Sequence, residues 1–238
     1  MDTVVIKNLE FRWEPSAAPI LTIDYLELKK NSSLFLQGPS GSGKSTLLSL
    51  LAGILVPQSG TVEMLGQSIH QLSSKERDRF RADHVGYIFQ MFNLLPYLSV
   101  LENVTLPCSF SRSRYKKLGN SDKAVEEEAL RLLNKLGFSD EQFLNKPVTE
   151  LSLGQQQRVA ACRALMGSPE ILIADEPTSA LDADAQENFL TLLNEECQKN
   201  DITLIFVSHD ERLAPQFDQI AKLRDGTITV QNLIDQVL

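Results

Sequence analysis

The stretch "GPSGSGKS" (Gly38–Ser45) constrains this chain more than any other. It follows a short apolar run, "SLFLQG" (Ser33–Gly38), and leads into "STLLSLLAGIL", a helical pattern. A G-x-x-x-x-G-K-S/T loop between strand and helix lets glycines 38, 41 and 43 close the backbone into a nest of inward-pointing N–H groups. The helix opening near Lys44 adds the positive end of its dipole. Such a loop needs a buried strand before it and a packed helix after it, which commits the chain to an α/β core. Chemically it is a nucleoside triphosphate site. Gly38, Pro39, Ser40, Gly41, Ser42, Gly43 and Thr46 surround the phosphates, Lys44 reaches the β- and γ-phosphates, and the Ser45 hydroxyl ligates Mg²⁺.

Other segments repeat the pattern. "EILIADEP" (Glu170–Pro177) and "TLIFVSHD" (Thr203–Asp210) are near-continuous apolar runs, as strands buried on both faces of a parallel sheet are. The N-terminal runs "TVVIKNLEFRW" and "LTIDYLELKK" alternate in part, which predicts a half-exposed antiparallel sheet. From Met91 to about Leu151 strand signals are few. A basic stretch, "SRSRYKKLGNSD", reads as a solvated loop. The helix after it, "DKAVEEEALRLLNKLG", puts Val125, Ala129, Leu132, Leu133 and Leu136 on one face and stops at Gly137. A helical insert within an α/β core accounts for this middle part.

The two runs end on chemistry. Asp175 and Glu176 stand side by side at a strand end, and adjacent strand residues face opposite ways, so the two acids take different roles. Asp175 is the candidate for the Mg²⁺ shell and Glu176 for polarising an attacking water. His209 lies at a strand's C-terminal end, the ligand edge of an α/β sheet, where it can donate to developing phosphate charge. A second anion site opens at "LSLGQQQRVAACRAL", where Ser152 and the amides near Gly154 start a helix.

Composition excludes several alternatives. The chain has 238 residues, 42% hydrophobic and 23% charged, with net charge −8. That acidity argues against a nucleic-acid partner. Cys108, Cys162 and Cys197 match no zinc or CxxC pattern and read as buried thiols. No signal peptide or membrane-length apolar run is present, so the chain is expected in the cytoplasm, or held at a membrane through something else.

Taken in order, these motifs resemble the ABC (ATP-binding cassette) ATPase domain over essentially the whole chain. "LSLGQ" (Leu151–Gln155) looks like the family signature, with Gln155 its last residue; "GYIFQMFNLL" supplies a Q-loop glutamine, Gln90; "SALD" (Ser179–Asp182) is similar to the D-loop. Trp13 falls where the family stacks an aromatic on adenine, with Phe11 the lesser candidate and a core role expected for one of the two. The run "FNLLPYLSVLENV" narrows the resemblance to the lipoprotein-release, macrolide-efflux and cell-division ATPases.

The resemblance implies a P-loop NTPase with a RecA-like parallel sheet core, an N-terminal antiparallel β-subdomain and an inserted α-helical subdomain. It implies one domain, 1–238, with 1–90 and 160–238 as nucleotide-binding core and about 91–159 as the helical part ending in the signature. ATP and Mg²⁺ are the implied ligands, with Gln90 joining Ser45 and Asp175 at the metal. A head-to-tail homodimer is implied, one copy's signature covering the other's ATP, together with an integral membrane permease partner on the inner face of the cell membrane. Phe92, Leu94, Leu95, Tyr97 and Leu98 would suit docking of that partner or packing within the insert. Leu153 departs from the family's usual glycine, which bears on γ-phosphate geometry. The alternative is a non-transport ABC ATPase of DNA-repair or chromosome type, but the chain lacks the long heptad run such heads carry.

Overall fold

In the computed structural model residues 2–138, 141–179 and 181–233 are described. Contacts divide them into two units. One runs up to Arg81 and resumes at Thr203; the other is Ala82–Ile202.

The first unit opens with antiparallel strands β1 (Asp2–Phe11) and β2 (Leu21–Lys29), in register at Ile6–Leu26 and Phe11–Leu21. Alternation along β1 is only partial because Asn8 adopts φ 48° and the pairing of β1 with the later strand Ser59–Met64 shifts between Lys7 and Glu10. That bulge returns Leu9 and Phe11 to the buried face that Val4 and Ile6 occupy. Strand β3 (Ser33–Gln37) is buried over its last four residues and feeds α1 (Lys44–Leu51), whose Leu47, Leu48, Leu50 and Leu51 enter the core. Strands β4 (Ser59–Met64) and β5 (Gln67–Ser68) complete a sheet of order β2-β1-β4-β5, and α2 (Ser74–His84) follows.

In the second unit come β6 (Val85–Ile88), then α3 (Val100–Phe110), α4 (Arg112–Lys117), α5 (Asp122–Lys135) and α6 (Leu153–Leu165), then β7 (Ile171–Asp175) and α7 (Ala183–Lys199). Strands β6 and β7 pair in parallel. Helix α5 buries Val125, Ala129, Leu132 and Leu133, with Leu136 at its C-cap also buried and Gly137 at φ 88°, as its periodicity predicts.

The basic stretch is not a solvated loop. It forms α4, capped by Ser111, and Arg114 within it is only 2% exposed. Its guanidinium donates to the carbonyls of Ala82 (2.8 Å), Val85 (2.7 Å) and Met166 (2.8 Å), so a buried cation is satisfied by backbone acceptors. Charge counting along the sequence could not separate this arginine from its exposed neighbours.

Glu196 of α7 is 1% exposed, yet Arg131 (2.8 Å) and Lys135 (2.9 Å) of α5 reach it. Burial alone would raise its pKa, but hydrogen bonds from Arg131 and Lys135 outweigh that and hold it at about 2. A folded pKa below the unfolded one contributes stability above the ordinary carboxylate range, lost as pH falls toward 2. Glu196→Gln is expected to cost roughly 3 kcal/mol at pH 7 by denaturant unfolding. The gap from the parent should narrow as pH drops through 4.5 and close near 2. A gap independent of pH would remove the ion cluster as its cause.

The chain then returns to the first unit with β8 (Thr203–Val207), β9 (Gln219–Arg224) and β10 (Thr227–Asn232). Strand β3 lies between β8 and β9, parallel to both, and β10 pairs antiparallel with β9. Parallel core strands, an N-terminal antiparallel sheet and a run of helices reproduce the expected fold class. Among the described residues no helix is long and apolar enough to cross a membrane. Cys108, Cys162 and Cys197 are free and buried, and burial pushes the Cys108 and Cys197 thiols up to about 11 and about 12.

Candidate functional site

In the first unit the phosphate loop leaves β3 at Gln37 and becomes helix at Lys44. Gly38 has no room for a side chain: a β-carbon there would lie 2.3 Å from the Leu223 carbonyl oxygen and 2.7 Å from Ser42 Oγ. Gly43, the N-cap of α1, sits at φ 101°, a conformation glycine alone adopts readily. Together they force the loop to fold on itself, with Ser42 N–H donating to Pro39 O (3.2 Å). Lys44 Nζ crosses the loop to Gly38 O (2.7 Å) and Pro39 O (3.1 Å), leaving one of its three N–H groups for a ligand. Ser42 Oγ is buried without a partner, while Ser40, Gly41 and Ser45 are exposed and Thr46 is half-buried.

His209 follows β8 by two residues, after buried Ser208, and is itself exposed. It lines one cleft of about 640 Å³ together with Gly38 and Pro39. Phe11 and Trp13 part ways as expected. Phe11 is 4% exposed and belongs to the core, whereas Trp13 is 61% exposed and touches Phe11 edge-on, ring centres 5.2 Å apart.

In the second unit the β6–β7 register pairs Ile88 with Ala174. Gln90 and Glu176, each two residues farther on, therefore leave neighbouring strands at the same C-terminal edge. Asp175 is the last residue of β7 and half-buried; burial, and after it the charge of Asp175, push the Tyr87 phenol upward. Strand alternation does not apply to the two acids, because only Asp175 belongs to the strand. Glu176 lies outside the strand at φ 48°, so a sharp left-handed turn separates it from Asp175.

Helix α6 begins with a reciprocal cap: Gln155 N–H donates to Ser152 Oγ (3.3 Å) and Ser152 N–H to Gln155 Oε1 (2.9 Å). The Ser152 hydroxyl proton and the N–H groups of Leu153 and Gly154 take no part in that cap, and helix-start amides have no acceptor within the helix. Leu153 is 61% exposed. Gly154 packs toward Leu181, where a β-carbon would sit 3.4 Å from Cδ2. Within Ser179–Asp182, Asp182 caps α7 through Ala185 N–H (2.9 Å); Ala180 lies outside the described residues.

Of the candidate docking residues, Phe92 is core at 6% exposure, Leu94, Leu95 and Leu98 are half-buried, and Tyr97 is 78% exposed. Met91, 81% exposed, joins Tyr97 at the surface. Sequence reading also passed over Arg163, the second arginine of α6, which donates to the Phe92 and Asn93 carbonyls.

The donor set bears on Mg²⁺. Among the described residues no three His, Cys, Asp or Glu side chains gather into a cage. Within the second unit an amide oxygen (Gln90) and one carboxylate (Asp175) are hard oxygen donors, few in number, of the kind that suits Mg²⁺ held mostly by phosphates and water.

The family described as ABC transporter matches residues 22–179. The chain belongs to that family. This cassette is 37% identical over 226 residues to the lipoprotein-releasing system ATP-binding protein LolD of Hydrogenovibrio crunogenus, covering 95% of this chain and 88% of the relative. It is 36% identical over 210 residues to the macrolide export ATP-binding/permease protein MacB of Rhodopirellula baltica, covering 88% of this chain but only 30% of that longer relative. Among solved structures, the dimeric ATP-binding cassette MJ0796 in a post-hydrolysis state bound to ADP and Pi superposes with a TM-score of 0.85 at 34% identity, over 97% of this chain and 98% of the other. The cassette is thus an ATP-binding ATPase subunit of the ABC transporter type, within the macrolide and lipoprotein-release subfamily.

Proposed function

We propose that this cassette forms a head-to-tail homodimer around two Mg-ATP molecules and drives conformational change in an integral membrane permease, for export, extraction of cargo from a membrane, or force transmission. The observation that carries the dimer is the exposed start of α6. Its cap is satisfied internally, and it presents further donors outward beside an exposed Leu153. A γ-phosphate of a second copy's ATP fits such a helix start, and the dimeric relative supports this reading.

In the proposed reaction Lys44 and the amides of Gly38–Thr46 grip the phosphates, and Trp13 stacks on adenine. Ser45, Asp175 and Gln90 would hold Mg²⁺, whose charge would offset that of the phosphates. Glu176 accepts the proton of the attacking water, and His209 donates to the γ-phosphate as charge develops. Ser152, Gly154 and Gln155 close the site from the other copy. Hydrolysis then removes the phosphate that both copies hold, and the dimer opens. Tyr97 and Met91, exposed beyond Gln90, carry the contact with the permease.

Tagged Glu176→Gln chain, extracted with ATP from native membranes in mild detergent, should bring down a multi-span protein at stoichiometric yield. LolD and MacB are named for lipoprotein release and macrolide export, and the co-purifying protein would lead to this cassette's own cargo. Recovery only in the soluble fraction, alone or with nucleic acid, would leave the ATPase standing and remove the transporter role.

A further inference from the structure

Helix α6 carries the signature at its start, and at its other end it holds the loop that contains Gln90. Arg163 Nη1 donates to Asn93 O at 2.7 Å and Nη2 to Phe92 O at 2.6 Å. Those carbonyls belong to the turn just past Gln90, where Phe92 (φ 59°) and Asn93 (φ 49°) both adopt the left-handed conformation. Two successive non-glycine residues there are strained and persist only where their surroundings hold them. The buried Phe92 ring and the bond from Phe92 N–H to Phe89 O (2.8 Å) anchor one side of the turn. Arg163 anchors the other.

The end of α6 is fixed in its turn to the strand that enters the loop. Gly86 of β6 lies so close to α6 that a β-carbon would come within 2.3 Å of Ala164 O. A helix of 13 residues is a rod of roughly 20 Å. Whatever seats its N-terminal end is felt at Arg163. The planar guanidinium fork matters here, because two parallel bonds to adjacent carbonyls fix the turn's orientation as well as its distance.

We infer that Arg163 is a positioning residue for Gln90: it ties the turn at Phe92–Asn93 to the end of the signature helix, so that the seating of that helix sets where Gln90 stands at the end of β6. This rests on the assignment of Gln90 to Mg²⁺ proposed above. Signature and Q-loop of one chain then respond together.

The test is a Mg²⁺ titration of ATP hydrolysis at saturating ATP on the purified full chain, for the parent, Arg163→Lys, Gln90→Ala and the double variant. Lysine keeps the charge but cannot fork across two carbonyls. Arg163→Lys should raise the half-saturating Mg²⁺ concentration about ten-fold, the scale on which groups that orient a metal ligand act. Binding of a fluorescent ATP analogue without Mg²⁺ should stay within about two-fold, since the phosphate loop is untouched. The double variant should be no worse than Gln90→Ala, because Arg163 acts through Gln90. A parent-like Mg²⁺ requirement in Arg163→Lys, or losses that add in the double variant, would overturn the inference while leaving the Gln90 assignment intact. An unshifted requirement in Gln90→Ala would overturn that assignment and the inference with it. Should Arg163→Lys not fold, Arg163→Gln, whose single amide cannot fork across two carbonyls, carries the same expectation. An unchanged Mg²⁺ requirement there counts equally against Arg163.

Discussion

Glu176→Gln lowers ATP turnover by roughly two to four orders of magnitude, the range a positioned general base contributes, and leaves ATP binding near the parent level. The carboxylate is held at the edge where β6 and β7 end, in a left-handed turn that costs backbone strain and is kept for that reason by its setting. Glutamine has the same length and can occupy the same turn, so the fold and the phosphate loop survive. What it lacks is basicity toward the attacking water. The variant should therefore accumulate as an ATP-bound dimer in light scattering and return to monomer on nucleotide removal. Turnover within about ten-fold of the parent would exclude Glu176 as the base.

Lys44→Ala acts earlier, on binding. Lys44 spans from the first turn of α1 back to the Gly38 and Pro39 carbonyls, so it shapes the loop and keeps a donor for phosphate. Removing a charge-assisted phosphate contact of about 3 kcal/mol weakens nucleotide binding about a hundred-fold. The loop carbonyls it leaves are near the surface, where water replaces the ammonium, so the melting temperature without nucleotide should barely move. Equilibrium binding of a fluorescent ATP analogue reads the loss directly. Binding within a few-fold of the parent would assign Lys44 to loop structure alone. The two variants separate the steps: Lys44→Ala is deficient in binding and dimerisation, Glu176→Gln in turnover only.

Much of the site is legible in the sequence because its chemistry is local. The loop Gly38–Ser45 needs three glycines and a lysine at fixed spacing, since backbone amides do the binding. The start of α6 needs a serine cap with glutamine three residues on, and the structure shows that reciprocal cap. The apolar face of α5 follows from periodicity alone. These features depend on neighbours a few residues away, which a sequence displays.

Three other features depended on distant partners. Arg114 looked like its exposed neighbours until three carbonyls from Ala82, Val85 and Met166 surrounded it. Phe92 suited docking or packing equally by sequence, and packing makes it core and leaves Tyr97 and Met91 outside. Strand alternation was expected to set Asp175 and Glu176 apart, but the strand stops at Asp175 and Glu176 lies beyond it in the left-handed conformation.

The sequence by itself determined the nucleotide loop, the α/β class and the family, because each rests on short-range backbone and pattern rules. The tertiary structure alone decided which charges are buried and which apolar residues face out. It also decided how Arg163, seventy positions along the chain from Asn93, comes to hold the turn beyond Gln90. Burial and long-range hydrogen bonds are properties of the packed chain, and no local window of sequence contains them.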